Sequence, residues 1–146
     1  MAVLIDTGIL LRLFERNDPH HAAIRRALTQ LRRQGEPLMT TAQNIAEFWN
    51  VSTRPASARG GFGHDGERTA RRVRIIEQVC DVLTESAATY ARWKELLSSH
   101  SIQGAAVHDA RLAAVMLEHG VATILTLNSA DFSRYSGITA TSPAGG

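Results

Sequence analysis

Residues 2–7 read AVLIDT, and this stretch decides how the rest of the chain is interpreted. Four small or apolar residues run directly into Asp6. A short segment that is apolar on both faces is typical of a buried parallel strand, and sites in open α/β sheets form at the carboxyl ends of such strands. A charge at the edge of a core is costly unless something pairs with it. Asp6 therefore predicts a partner elsewhere in the sequence.

Outward from this stretch, short apolar segments alternate with longer helical ones. The predicted strands are residues 2–5, 37–40, 81–84, 122–127 and 137–140. The predicted helices are residues 7–16, 20–35, 41–54, 67–79, 86–100 and 104–120. This alternation predicts one α/β domain over residues 1–141, with a central, mostly parallel sheet of four to five strands flanked by helices. Residues 142–146 are predicted to be a disordered tail.

The composition limits the classes of function. The 146 residues carry a net charge of +2, and all basic residues except Lys94 are arginines. Arginine binds phosphate through two parallel hydrogen bonds, which suits nucleic acid, although codon usage explains the same bias equally well. No apolar run approaches the length of a membrane span, so no membrane association is expected. The single cysteine, Cys80, excludes an internal disulfide and is typical of a reducing cytoplasm.

Two further acids lie in apolar surroundings. Glu47 lies within NIAEFWN, in a helix segment predicted to be mostly buried, and Asp109 begins the most apolar helix. Each has a simpler explanation. Glu47 could be a core glutamate paired with an arginine, and Asp109 could be a first-turn acid that complements the helix dipole.

A last polar stretch, NSADF, follows the fourth predicted strand and contains Asn128 and Asp131, which could also be ordinary turn residues. If all these side chains converge at one end of the sheet, the carboxylates repel one another and their pKa values rise. A divalent cation removes that repulsion, and hard carboxylate oxygens suit Mg²⁺ or Mn²⁺. Such a centre can activate water for phosphodiester cleavage.

Three segments resemble the PIN-domain ribonucleases, and most of all the VapC toxins of bacterial toxin–antitoxin pairs: VLIDTGILLRLF, TTAQNIAEFWNVSTRP and HDARLAAVMLEHGVATILTLNSADF. The resemblance implies a three-layer sandwich and an endoribonuclease that depends on Mg²⁺, with Mn²⁺ as a substitute. It assigns catalysis and metal binding to Asp6, Glu47 and Asp109. Asp6 and Asp109 would bind the metal directly, and Glu47 would bind it or act as general base.

The resemblance also extends to neighbouring polar residues. Thr7 matches the hydroxyl residue that accompanies the first acid, and Thr7 and Asn44 are predicted to orient the metal ligands. Asn128 stands where many family members have aspartate. Asp131 could replace that acid, so the identity of the fourth residue and a second metal site stay open. RNA contacts are predicted at three arginines of the helix over 67–79, Arg71, Arg72 and Arg74, although these could equally form a solvated helix face.

The expected partners of the chain are RNA and a cognate antitoxin, and the expected assembly is a homodimer. These follow from the resemblance to VapC toxins rather than from the composition. The sequence is also compatible with a catalytically weak PIN-like module that binds RNA or a protein partner. This alternative stays open because Asn128 stands where many family members have an acid.

Overall fold

Five parallel strands form the centre of the computed structural model, which describes residues 1–143. The strands are β1 (Val3–Ile5), β2 (Leu38–Thr41), β3 (Asp81–Leu83), β4 (Thr123–Leu125) and β5 (Thr139–Thr141). Their order in the sheet is β3-β2-β1-β4-β5, and each neighbouring pair is parallel. The predicted parallel α/β sheet is confirmed. Of the predicted tail, residues 144–146 lie outside the described residues.

Helices connect the strands and cover both faces of the sheet. They are α1 (Thr7–Leu13), α2 (His21–Arg33), α3 (Ala42–Thr53), α4 (Gly66–Val79), α5 (Ala87–Ser99), α6 (Ala106–Glu118) and a 3₁₀ helix (Ser129–Phe132). Local signals set several ends. Thr41 and Ser86 cap α3 and α5 through their hydroxyls. Gly35, with φ +75°, follows α2 in the left-handed region that glycine tolerates best. Within residues 1–143, no helix is long and apolar enough to cross a membrane.

The alternation of side chains along β1 explains the three layers. Val3 and Ile5 belong to a core formed with α1, α2, α3 and α4, whereas Leu4 belongs to a second core formed with α5 and α6. Successive side chains of a strand point to opposite faces, so a strand buried on both faces must be apolar at every position. The run AVLI meets that requirement, and the predicted sandwich is confirmed.

The strand order also determines where a site can form. From β1 the chain proceeds through β2 to β3 on one side, and β4 and β5 lie on the other. The order therefore reverses between β1 and β4, and ligands of open α/β sheets bind outside the carboxyl ends at such a point. Asp6 follows β1 and Thr126 follows β4, which places both residues there.

Candidate functional site

Asp6 is held in place through both of its carboxylate oxygens. Oδ1 accepts a hydrogen bond from the backbone N–H of Thr7 at 2.9 Å and thereby caps α1. Oδ2 accepts a hydrogen bond from the hydroxyl of Thr126 at 2.7 Å. Burial raises the pKa of Asp6, the two hydrogen bonds lower it, and the nearby Asp131 raises it, so that the pKa is above its ordinary value. A rigid carboxylate that resists ionisation lies at the end of the first strand.

Thr126 is the functional residue that the sequence interpretation missed. Its side chain is fully buried, and its hydroxyl both donates to Asp6 and accepts a hydrogen bond from the backbone N–H of Asn128 at 3.0 Å. The signal was present in the sequence, because a threonine that directly follows the apolar β4 needs a polar partner once it is buried. Only the position two residues later had been singled out.

Thr7 and Asn44 lie beside Asp6 in a second buried network. The amide of Asn44 donates to the hydroxyl of Thr7 at 2.9 Å, and the hydroxyl of Thr41 donates to the amide oxygen of Asn44 at 2.7 Å. Asn44 is fully buried. This network joins the start of α1 to the start of α3 and thus fixes the helix that carries Glu47 relative to Asp6.

Glu47 is more exposed than the sequence predicted. Its neighbour Phe48 is buried, but Glu47 itself, Ala46 and Trp49 are exposed, so the prediction of a mostly buried segment was wrong. Helix α3 buries only one face, and Glu47 lies toward the edge of that face. Partial desolvation and the charge of Asp6 nevertheless raise the pKa of Glu47 above its ordinary value, against the opposing effects of Gln43, His108 and Arg111.

Asp109 lies in the first turn of α6, as predicted. The helix dipole is not the only influence on its carboxylate. Burial and then the charges of Asp131, Asp6 and Glu47 raise its pKa to about 6, while His108 lowers it. The side-chain amide of Gln43 on α3 donates to the carbonyl of His108 at 2.9 Å. This bond links the helix that carries Glu47 to the helix that carries Asp109.

The electrostatic couplings group four acids, which we call the acid cluster: Asp6, Glu47, Asp109 and Asp131. Asp131 lies on the 3₁₀ helix and raises the pKa values of both Asp6 and Asp109. Asn128 contributes its backbone N–H to Thr126, and its side chain does not cap the helix that follows. The choice between Asn128 and Asp131 as the fourth residue stays a prediction, since an asparagine carries no charge that could show such a coupling.

The acid cluster has side chains of the right chemistry to bind a divalent cation, but these side chains do not enclose a metal site. Within residues 1–143, no group of three or more His, Cys, Asp or Glu side chains is arranged so that it could hold a metal ion. The donors are all hard oxygens, however, and their charges oppose one another's ionisation, which a cation among them would reverse. Glu47 and Asp131 are exposed, so their side chains have room to turn toward Asp6 and Asp109.

The arginines predicted to contact RNA differ in their surroundings. Arg71 and Arg74 are exposed on α4. Arg72 instead donates to Glu15 at 2.9 Å and lies over the ring of Phe14, with only 17% of its side chain exposed. The structure therefore argues against an RNA contact at Arg72, because its guanidinium already has a carboxylate and an aromatic partner.

Glu15 is the centre of this local network. His64, from the glycine-rich segment before α4, contacts the same carboxylate oxygen at 2.7 Å. Partial burial raises the pKa of Glu15, but the hydrogen bonds from His64 and Arg72 outweigh that effect and hold the pKa below its ordinary value. The segment is thereby tied to the end of α1.

Arg72→Gln is expected to lower the free energy of unfolding by about 1–3 kcal/mol, because a charged hydrogen bond and a cation–π contact are lost together. Arg71→Gln is the matched control, since its pair with Glu67 is exposed and such pairs contribute about 0–1 kcal/mol. Urea unfolding of the two variants beside the parent chain measures both values. Equal losses in the two variants would contradict the structural role of Arg72.

Comparison with known proteins identifies the family of the chain. The family model that describes the PIN domain matches residues 3–138, which is nearly the full length. The chain belongs to the PIN domain family. The acid cluster therefore lies in a PIN domain, at the carboxyl edge of its sheet. No curated protein matches the chain in sequence.

Solved structures share this PIN fold at low sequence identity. VapBC2 from Rickettsia felis, bound to a DNA fragment from its promoter, is 16% identical with a TM-score of 0.70 and covers 97% of this chain and 98% of that chain. VapC20 from Mycobacterium tuberculosis, described as a sarcin–ricin loop cleaving toxin, is 19% identical with a TM-score of 0.66, covering 94% and 98%. DNA-bound VapBC from Salmonella typhimurium is 15% identical with a TM-score of 0.68, covering 98% of both chains. These likenesses establish the fold of the chain.

Proposed function

We propose that this PIN domain is an endoribonuclease that depends on Mg²⁺ or Mn²⁺ and acts as the toxin of a toxin–antitoxin pair. The observation that carries the proposal is the acid cluster at the carboxyl edge of the sheet, in which burial and the charges of neighbouring acids raise the pKa values of Asp6, Glu47 and Asp109. An RNA substrate is supported by VapC20, a structural neighbour described as cleaving the sarcin–ricin loop.

Asp6 and Asp109 would hold the metal directly, with Asp131 completing the donor set and Glu47 left free to act on water. When bound, Mg²⁺ or Mn²⁺ would neutralise phosphate charge and lower the pKa of the attacking water. The hydrogen bonds from Thr7 and Thr126 leave Asp6 with a fixed orientation and with lone pairs free on both oxygens. Outer groups of this kind orient metal ligands and tune their affinity.

Glu47 suits the role of general base better than the more buried Asp6. It is exposed enough to reach a water, and its pKa is raised above the ordinary value, which brings it closer to neutral pH. In the reaction, the water oxygen forms a bond to phosphorus and its proton passes to Glu47. The bond from phosphorus to one ester oxygen breaks, and the leaving oxygen takes a proton from solvent.

The proposal extends to partners and location. Several structural neighbours are complexes of a VapC with its VapB, or of FitA with FitB, which supports a cognate antitoxin for this chain. A basic side chain of that antitoxin would be attracted to the acid cluster for the same reason as a cation. We extend the proposal to a homodimer that acts in the cytoplasm.

Metal removal tests the proposal directly. The purified chain is expected to cut total cellular RNA into discrete fragments with Mg²⁺ or Mn²⁺, to stop when EDTA is added, and to resume when excess metal is restored. Gel electrophoresis of the RNA measures this, and circular dichroism shows that the chain stays folded throughout. A folded chain that leaves RNA intact with both metals would reject the nuclease and favour a module that only binds RNA or a protein.

A further inference from the structure

Helix α2 carries a concentrated positive charge that the acid cluster does not explain. Its four arginines are all exposed: Arg25, Arg26, Arg32 and Arg33. We call them the arginine face. The helix holds four of the sixteen basic residues and none of the fourteen acids, so the rest of the chain has a net formal charge of −2. A slight overall excess of positive charge therefore conceals a strongly basic helix on an otherwise acidic protein.

The sequence places these charges on one side of the helix. Arg25 and Arg32 are seven residues apart, as are Arg26 and Arg33, so each pair is separated by two turns, or about 10 Å along the axis. Ile24 and Leu28 are buried on the other side, against the core. The four arginines thus form two exposed rows along the helix.

Within residues 1–143, none of the four arginines forms an ion pair. The nearest acids along the chain are already engaged. Asp18 pairs with Arg12, and Glu36 pairs with the amino terminus. Four like charges on one short helix repel one another, so an external polyanion would stabilise the face.

The face also adjoins a groove along the sheet. A groove of about 570 Å³ lies between α2 and the sheet, lined by Arg26 and Leu31 on one side and by Leu125 and Thr141 at the strand ends. Leu125 precedes Thr126, whose hydroxyl binds Asp6. The groove therefore extends from Arg26 to Leu125, the last residue of β4, which is next in the chain to Thr126.

We propose that the arginine face is a docking surface for the phosphate backbone of the RNA substrate, which it holds without reading the sequence while another part of the strand enters the acid cluster. This rests on the proposed ribonuclease function. Arginine guanidinium groups match phosphate through paired hydrogen bonds, and contacts of this kind supply affinity rather than sequence preference. Two parallel rows, each with its two arginines two turns apart, suit a flexible single strand that runs along the helix.

The test compares two variants that lose the same charge. The α2 variant replaces the arginine face by glutamine at Arg25, Arg26, Arg32 and Arg33. The α4 variant likewise replaces four exposed arginines on α4 and the segment before it: Arg59, Arg68, Arg71 and Arg74. Glutamine and arginine have similar helix propensities, so α2 should persist. If the fourfold α2 variant does not fold, the double variants R25Q/R26Q and R32Q/R33Q each remove half of the charge and are tested in its place. Circular dichroism melting checks each chain.

Binding of a labelled single-stranded RNA of mixed sequence is measured by fluorescence anisotropy in EDTA, with gels to show that the RNA stays intact. The α2 variant is expected to bind about tenfold or more weakly. Its plot of log Kd against log salt should be shallower by about 3, since each phosphate contact on a single strand contributes about 0.7. The α4 variant should stay within about twofold of the parent chain, which would assign Arg71 and Arg74 to a solvated helix face, the alternative to RNA contacts that the sequence left open.

Other outcomes overturn the proposal. These are unchanged RNA binding by the α2 variant, an equal loss in both variants, or a loss confined to the α4 variant. A parallel titration with polyglutamate separates RNA from an acidic protein partner, because loss of polyglutamate binding alone assigns the face to protein. Binding in EDTA does not require cleavage, so a chain that binds RNA through α2 but never cuts it would reject the nuclease and keep the docking surface.

Discussion

Asp6→Asn is expected to reduce RNA cleavage by about a thousandfold or more and, at the same time, to raise the melting temperature. The loss of activity follows from removal of a ligand charge, since stabilisation of the transition state by a metal amounts to several kcal/mol and each ~1.4 kcal/mol is a factor of about ten in rate. The gain in stability follows from the raised pKa of Asp6, which means that the folded protein opposes its ionisation.

The surroundings of Asp6 explain why Asp6→Asn should stabilise the fold. Above its folded-state pKa, the Asp6 carboxylate is charged, partly desolvated and repelled by Asp131, so neutralising it removes a cost. Asparagine is as good a helix cap as aspartate, and its amide can still bond with Thr7 and Thr126. Each kcal/mol gained should raise the melting temperature by about 2–4 °C.

Asp81→Asn is the matched control for this prediction, because Asp81 is exposed at the amino end of β3, on the edge of the sheet away from the acid cluster. It should change neither cleavage nor melting temperature. Cleavage of a fluorescent RNA and calorimetric melting measure both effects. An Asp6→Asn variant that loses activity and also melts at a lower temperature would show that Asp6 has a structural role, and would remove the electrostatic argument for a cation site.

The fold could be predicted because its decisive features are local. The run AVLI is apolar at every position, which only a strand buried on both faces requires, and Thr41 and Ser86 mark helix starts by their hydroxyls. Element ends differ from prediction by up to three residues, as with α1, which ends at Leu13 rather than at residue 16. Such ends depend on tertiary contacts that no short window of sequence contains.

The places of the predicted site residues in the fold could be predicted, but their surroundings could not. The positions of Asp6 and Asp109 followed from strand and helix ends. The exposure of Glu47 did not, since an apolar neighbour on each side says nothing about which face of a helix is covered. The pairing of Arg72 was not visible for a similar reason, because its partner Glu15 is 57 residues away in the chain. Contacts between distant segments decide the environment of each charge, and the sequence alone does not reveal them.

Thr126→Val is expected to weaken Mn²⁺ binding and RNA cleavage by about 10- to 100-fold, which is the usual effect of removing a partner that orients a metal ligand. Valine has nearly the shape of threonine, so the change deletes a hydroxyl and little else. Asp6 Oδ2 loses its donor and the N–H of Asn128 loses its acceptor. Each group left without a partner costs about 1–3 kcal/mol, so the variant should also unfold more easily.

Thr40→Val is the control that separates loss of the Thr126 hydroxyl from the general effect of replacing a buried threonine by valine. Thr40 is equally buried, lies on β2 of the same sheet, and its hydroxyl has no hydrogen-bond partner within residues 1–143. Replacing it should leave cleavage unchanged and stability unchanged or higher, since burial of an unbonded hydroxyl is itself unfavourable. Calorimetric titration with Mn²⁺ and cleavage assays on both variants make the comparison. If Thr126→Val and Thr40→Val behave alike in metal affinity, the hydroxyl does not position Asp6, and the orientation of that carboxylate must depend on the N–H of Thr7 alone.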